Sequence, residues 1–120
     1  MPFPFENLTV YQSSLDFIEA IDDLLKEMKG KVAYTWIDQL GRASASIPLN
    51  IAESGGRWFS KDKAQFLRIA RGSVFEIVPI IQVLYRKQVI PESRYKTFYD
   101  HLSSLARMLT ALIRSIEKVN

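Results

Sequence analysis

The residues best suited to chemistry in this chain are cationic and fall between positions 57 and 71. They are Arg57, Lys61, Lys63, Arg68 and Arg71, with Trp58 and Phe59 interleaved at the near end. Guanidinium and ammonium groups neutralise phosphates, and an exposed aromatic ring stacks on an unpaired base. The set is therefore a candidate nucleic-acid contact made of charge and stacking. The same residues fit a plainer use. Lys61 and Lys63 can solvate a helix start, Trp58 and Phe59 can pack as a staple or against another subunit, and Arg68 can pair with a carboxylate. Both uses stay open on the residues alone, packing being the commoner fate of the aromatics.

A second constellation is polar: Asn50, Glu53, Arg57 and Glu76. Glu53 or Glu76 could hold Arg57, Arg68 or Arg71, and Asn50 or Ser73 could reach a backbone carbonyl left free near Pro48. Such a network tunes helix register or subunit contact. Catalysis would need a matched acid and base around a pocket, and structural use is the stronger reading. His101 is the single histidine and Phe98 stands three residues before it, so the Glu-x-x-His pair of di-iron bundles is missing. Gly55-Gly56-Arg57 lacks the spacing of a phosphate loop, and Ser44, Ser46 and Ser54 have no histidine base placed by sequence. No metal or cofactor set emerges.

Composition sets the frame for these residues. The 120-residue chain is 48% hydrophobic and 24% charged, which matches one globular domain over residues 1–120. It has no cysteine, so disulfides and thiolate metal sites are excluded and a cytoplasmic location is expected. The start, MPFPFENLTV, has neither a basic n-region nor an apolar h-region, and no membrane span is predicted. Charge is uneven along the chain. Residues 1–53 hold four Lys/Arg against eight Asp/Glu, net −4, and residues 54–120 hold twelve against five, net +7, which sum to +3. The second half thus has the charge to attract phosphates or an acidic partner, although solvated helix faces account for such a count too.

Four helices must position the candidates. Asn7 or Thr9 can cap the first, where Phe17, Ile18, Ile21, Leu24, Leu25 and Met28 form a stripe that Gly30 ends. Asp22 and Lys26 form an i,i+4 surface pair on its other face. The second runs from about Val32 to Ser54, with Trp36, Ile37, Leu40, Ile47 and Ile51 inward and the small residues Gly41, Ala43, Ser44, Ala45 and Ser46 at its middle. Pro48 removes a bond to the Ser44 carbonyl, and a kink there is expected at a cost of roughly 3 kcal/mol. A helix ending before Pro48 is the rival. Gly55 and Gly56 are expected to supply positive φ at the C-terminus, Ser60 to cap the third helix, and Asp62 to suit its dipole. In that helix Phe66, Ala70, Ser73, Ile77, Ile80 and Leu84 form one stripe, and Leu67, Val74, Val78 and Ile81 another. Two stripes point to two buried faces and hence to subunit contact. Pro79 adds a possible bend. The chain reverses at Gln88-Val-Ile-Pro91, and a fourth helix from about Glu92 to Lys118 carries Tyr95, Phe98, Leu102, Leu105, Leu109, Leu112 and Ile116. Short connections favour an up-down-up-down antiparallel four-helix bundle, all-α, with a proline-kinked second helix.

The N-terminal FENLTVYQSSLDF, the block SIPLNIAESGGRWFSKDKAQFLRIARGSVFE and the helical tail resemble the family of small four-helix-bundle proteins associated with intervening sequences of 23S ribosomal RNA genes. The most specific elements are Ser46-Ile47-Pro48, Asn50-Ile51-Ala52-Glu53, Gly56-Arg57, Ser60-Lys61, Phe66-Leu67, and Ala70 through Gly72 and Ser73 with Glu76. Ala52-Glu53-Ser54-Gly55 stands where the familiar pattern reads Ala-Glu-Gly, which shifts or lengthens the turn, and Pro79 is a further departure. The resemblance implies a ring-like homopentamer without catalytic activity. A group of similar fold comprises accessory proteins of diversity-generating retroelements, which bind a reverse transcriptase and nucleic acid. Function does not follow from fold. The expected role is a non-enzymatic oligomeric scaffold binding structured RNA, or DNA, through the turn between helices two and three. The alternative is an adaptor for a nucleic-acid enzyme such as a reverse transcriptase; a small-molecule binder with a polar pocket at Glu53 and Glu76 ranks third.

Overall fold

The three- and four-residue apolar spacing resolves into four α-helices, with no strand among the described residues. They are α1, Thr9–Met28; α2, Tyr34–Gly55; α3, Ser60–Arg86; and α4, Glu92–Glu117. This computed structural model describes residues 2–118. Each helix packs against its successor, and α1 also meets α4. The resulting bundle measures 48 × 25 × 21 Å. No described helix is long and apolar enough to cross a membrane.

The predicted stripes supply the core: Phe17, Ile21 and Leu24 from α1, Leu40, Ile47 and Ile51 from α2, and Leu102, Leu105 and Leu109 from α4 are buried. On α3, both predicted stripes are buried inside the chain apart from half-buried Phe66 and Val78. The physical reason is topological. α3 packs on α2 and on α4 at once, so its second apolar face is used within the chain.

α2 continues through Pro48, which is buried, so the rival reading of a break is corrected. The expected contacts to the Ser44 carbonyl are replaced by others. Asn50 Nδ2 donates to the Ser46 carbonyl at 2.8 Å and to Ser46 Oγ at 2.9 Å, and Ser73 Oγ donates to Ser46 Oγ at 2.9 Å. The Ser73 bond ties α2 to α3, and the two Asn50 bonds lie within α2. Across α2, Arg42 Nε donates to both Asp38 carboxylate oxygens, and this bonding with the attached charge raises the guanidinium above its ordinary range.

The helix ends depart most from expectation. Leu8 and Phe59 occupy the N-cap positions of α1 and α3 and neither supplies a side-chain bond, so Asn7, Thr9 and Ser60 do not cap. Glu6 closes the short 3-10 turn Pro4–Asn7 ahead of α1: its carboxylate accepts from the Phe3 amide, and its carbonyl accepts from Gln12 Nε2 of α1 at 2.9 Å. Asp62 does lie in the first turn of α3. Gly55 is helical and Gly56 has φ −88°, so neither takes the left-handed conformation. The chain leaves α2 through tight bonds from the Gly56 amide to the Glu53 carbonyl and from Arg57 to Ser54. Gly55 packs closely instead: a Cβ there would sit 3.2 Å from Phe5 Cβ, which would have to yield by a few tenths of an ångström. Gly30, which follows α1, does have φ +80°. The Asp22–Lys26 pair does not close; Glu53–Arg57 and Glu92–Lys96 do, at 3.4 and 3.5 Å.

Candidate nucleic-acid interface

Two basic surfaces result, because the predicted cations separate along α3. At the α2–α3 turn, the end of α2 and the start of α3 hold each other: Ser54 Oγ donates to the Lys63 carbonyl at 2.9 Å, and Lys63 Nζ reaches the Ser54 carbonyl at 3.4 Å. Lys63 therefore sits at the C-terminus of α2, where a cation suits the helix dipole. Arg57 pairs with Glu53 and lies over the Phe66 ring, 4.4 Å from its centroid. Lys61 is exposed. Trp58 is 93% exposed and Phe59 72%, so neither packs as a staple within the chain. A short connection leaves them no apolar neighbour to cover them.

Arg68 and Arg71 lie one to two turns further along α3 and face α4. Arg68 pairs with Glu117. Arg71 Nε donates to Thr110 Oγ1 at 2.9 Å, and its guanidinium lies 4.5 Å from the Phe75 centroid. They line a cleft of about 420 Å³ with Thr110, Ile113, Arg114 and Glu117. A second cleft of about 300 Å³ shares Arg71, Thr110 and Arg114 and adds Ala106, Arg107 and Ala111. Ala106 also borders a third, about 300 Å³, walled by Phe75, Val78, Pro79 and Tyr99. One groove thus runs between α3 and α4 from a basic end to an aromatic end. Arg107 and Arg114 escaped the sequence reading. Their seven-residue spacing, with Thr110 and Ala111 between them, was the available signal for a shared helix face.

The polar constellation is dispersed. Glu53 holds Arg57, but Glu76 is exposed without an ion-pair partner among the described residues, Asn50 bonds within α2, and Gly72 is open to solvent. No group of three metal-ligating side chains converges among the described residues. His101 Nε2 lies 2.9 Å from Ser13 Oγ and 3.0 Å from the Ser13 carbonyl. Satisfying the carbonyl requires a proton on Nε2, which then cannot accept the serine proton. The contact is a tether between α1 and α4, reinforced by Phe17 edge-on to His101 and to Phe98.

No curated protein matches the chain. A crystal structure from Bacteroides thetaiotaomicron, of a protein of unknown function from the S23 ribosomal protein family, is similar in fold. Its TM-score is 0.83 at 24% identity, covering 88% of this chain and 98% of that one. The family model described as 23S rRNA-intervening sequence protein matches residues 6–111, from the turn before α1 almost to the end of α4. With the sequence and the four helices in agreement, the chain belongs to the 23S rRNA-intervening sequence protein family.

Proposed function

We propose that this chain is the protomer of a non-enzymatic, ring-like homo-oligomeric scaffold that binds structured RNA through the α2–α3 turn. The observation that carries the reading is Trp58, 93% exposed between Arg57 and exposed Lys61. Leaving an indole in water forgoes about 2 kcal/mol of burial, which a stacked base or a partner surface would recover. Cations on either side supply the phosphate contacts, and repetition around a ring would multiply weak contacts into avidity. The name of the family supports ribosomal RNA as the setting, and the lack of cysteine supports a cytoplasmic one. The protomer is read as up-down-up-down, on its short connections, and as bent at Pro48, on the bond that residue cannot give to Ser44. Self-association is supported by Leu49 and Ile69, 67% and 43% exposed on α2 and α3, and by exposed Gly72, one turn along α3 from Ile69. Five subunits follow the family resemblance.

A solution mass measurement with salt-titrated binding to a structured RNA tests this. A multiple of the protomer mass is expected, with affinity falling steeply as salt rises. Replacing Arg57, Lys61 and Lys63 together by Ala should weaken binding while the circular dichroism stays helical. A monomer, or binding indifferent to salt and to these changes, would overturn it. Phe59, 72% exposed beside Trp58, favours a second reading as an adaptor, since such an apolar pair also fits a protein pocket. A partner such as a reverse transcriptase, recovered after nuclease treatment and lost on Trp58→Ala, would support that reading.

A further inference from the structure

We infer that the groove between α3 and α4 seats an unpaired nucleic-acid strand, its phosphates on Arg71, Arg107 and Arg114 and its bases against Phe75 and Tyr99. The inference rests on the nucleic-acid reading above and assigns it a second, chemically distinct site. Charge is the first argument. The two basic clefts are lined by four arginines, Arg68, Arg71, Arg107 and Arg114, against the single carboxylate of Glu117, which Arg68 already holds. Arg114 has no ion-pair partner among the described residues. Like charges converging on one groove repel one another, and a polyanion turns that repulsion into attraction.

Order is the second argument. Thr110 and the Phe75 ring fix the Arg71 guanidinium from two sides, and Arg107 Nη1 donates to Ser103 Oγ at 2.7 Å. These groups bind with less loss of side-chain freedom than lysines waving in solvent would. Shape is the third. Arg107 and Arg114 are seven residues apart, about 10 Å along α4, which exceeds the reach of one phosphate. Past Ala106 the groove turns aromatic, with Phe75 and Tyr99 53% and 45% exposed. A charged track continuing into exposed rings matches a strand, whose phosphates and bases alternate along its length. A duplex offers no unstacked base to those rings, so a single strand is the better match.

Fluorescence anisotropy on the full chain, with a labelled oligouridine and a labelled RNA hairpin as probes, tests the assignment. Arg107→Ala with Arg114→Ala should weaken oligouridine binding at least tenfold and lower the slope of log K against log salt by about 1.4, two contacts at about 0.7 each. Phe75→Ala with Tyr99→Ala should weaken it about tenfold and leave the slope unchanged. Arg57→Ala with Lys61→Ala should spare oligouridine and weaken the hairpin. All six side chains are exposed, and circular dichroism reports their folding. Groove variants that bind oligouridine as the parent does would overturn the inference while leaving the turn reading intact. A parent that binds neither probe would overturn both.

Discussion

Ser44 shows how a single side chain can be read for its energetic cost. It is buried on α2, and its Oγ has no hydrogen-bond partner among the described residues. A buried hydroxyl left unpaired costs about 1–3 kcal/mol, whereas a methyl there costs nothing in hydrogen bonding. Ser44→Ala is therefore expected to stabilise the chain by about 1 kcal/mol, measured as a higher urea midpoint at unchanged slope. A lower midpoint would mean that the hydroxyl is paired. The types of Arg57, Trp58 and Lys61 were legible in the sequence, but their exposure was not. An aromatic beside a turn packs or protrudes according to what lies within reach, and only the folded chain shows that nothing does.

The reversal between α3 and α4 shows how helix ends escape prediction. Gln88 has φ +61°, the Lys87 amide bonds the Val83 carbonyl, and the Val89 amide bonds the Leu84 carbonyl. That is a left-handed helix stop without its usual glycine. A side chain in this conformation costs about 1 kcal/mol. Gln88→Gly is accordingly expected to raise the thermal midpoint, by about 4 °C or more for a domain of this size; an unchanged or lower midpoint would show the strain to be relieved elsewhere. Helix extents were legible, because the apolar stripes run over many turns and stop where burial stops. The caps were not. At Asn7, Thr9 and Ser60 a capping type stands one residue from the cap position, and backbone bonds decide which residue takes it.

At the scale of the molecule, Gly72 bears on assembly. A Cβ added there meets nothing within 4 Å, so alanine should stabilise α3 by about 1 kcal/mol in the isolated chain. If the exposed face with Ile69 and Gly72 closes against a second copy, Gly72→Ala will also reduce the assembled mass in light scattering. A stabler chain of unchanged mass would remove that face from the interface. The two stripes on α3, which hinted at a subunit contact, are covered within the chain by α2 and α4 and so carry no argument for one. Read by itself, the sequence determined that the chain is all-α, where its four helices run and which residues are buried, because periodicity and burial are local properties summed along each helix. Tertiary structure alone decided that Arg68 and Arg71 join Arg107 and Arg114 in one groove, that Ser46 Oγ rather than the Ser44 carbonyl receives Ser73, and that Trp58 stands free. Each of these depends on how far one helix slides and turns against another, and no spacing within a single helix encodes that distance.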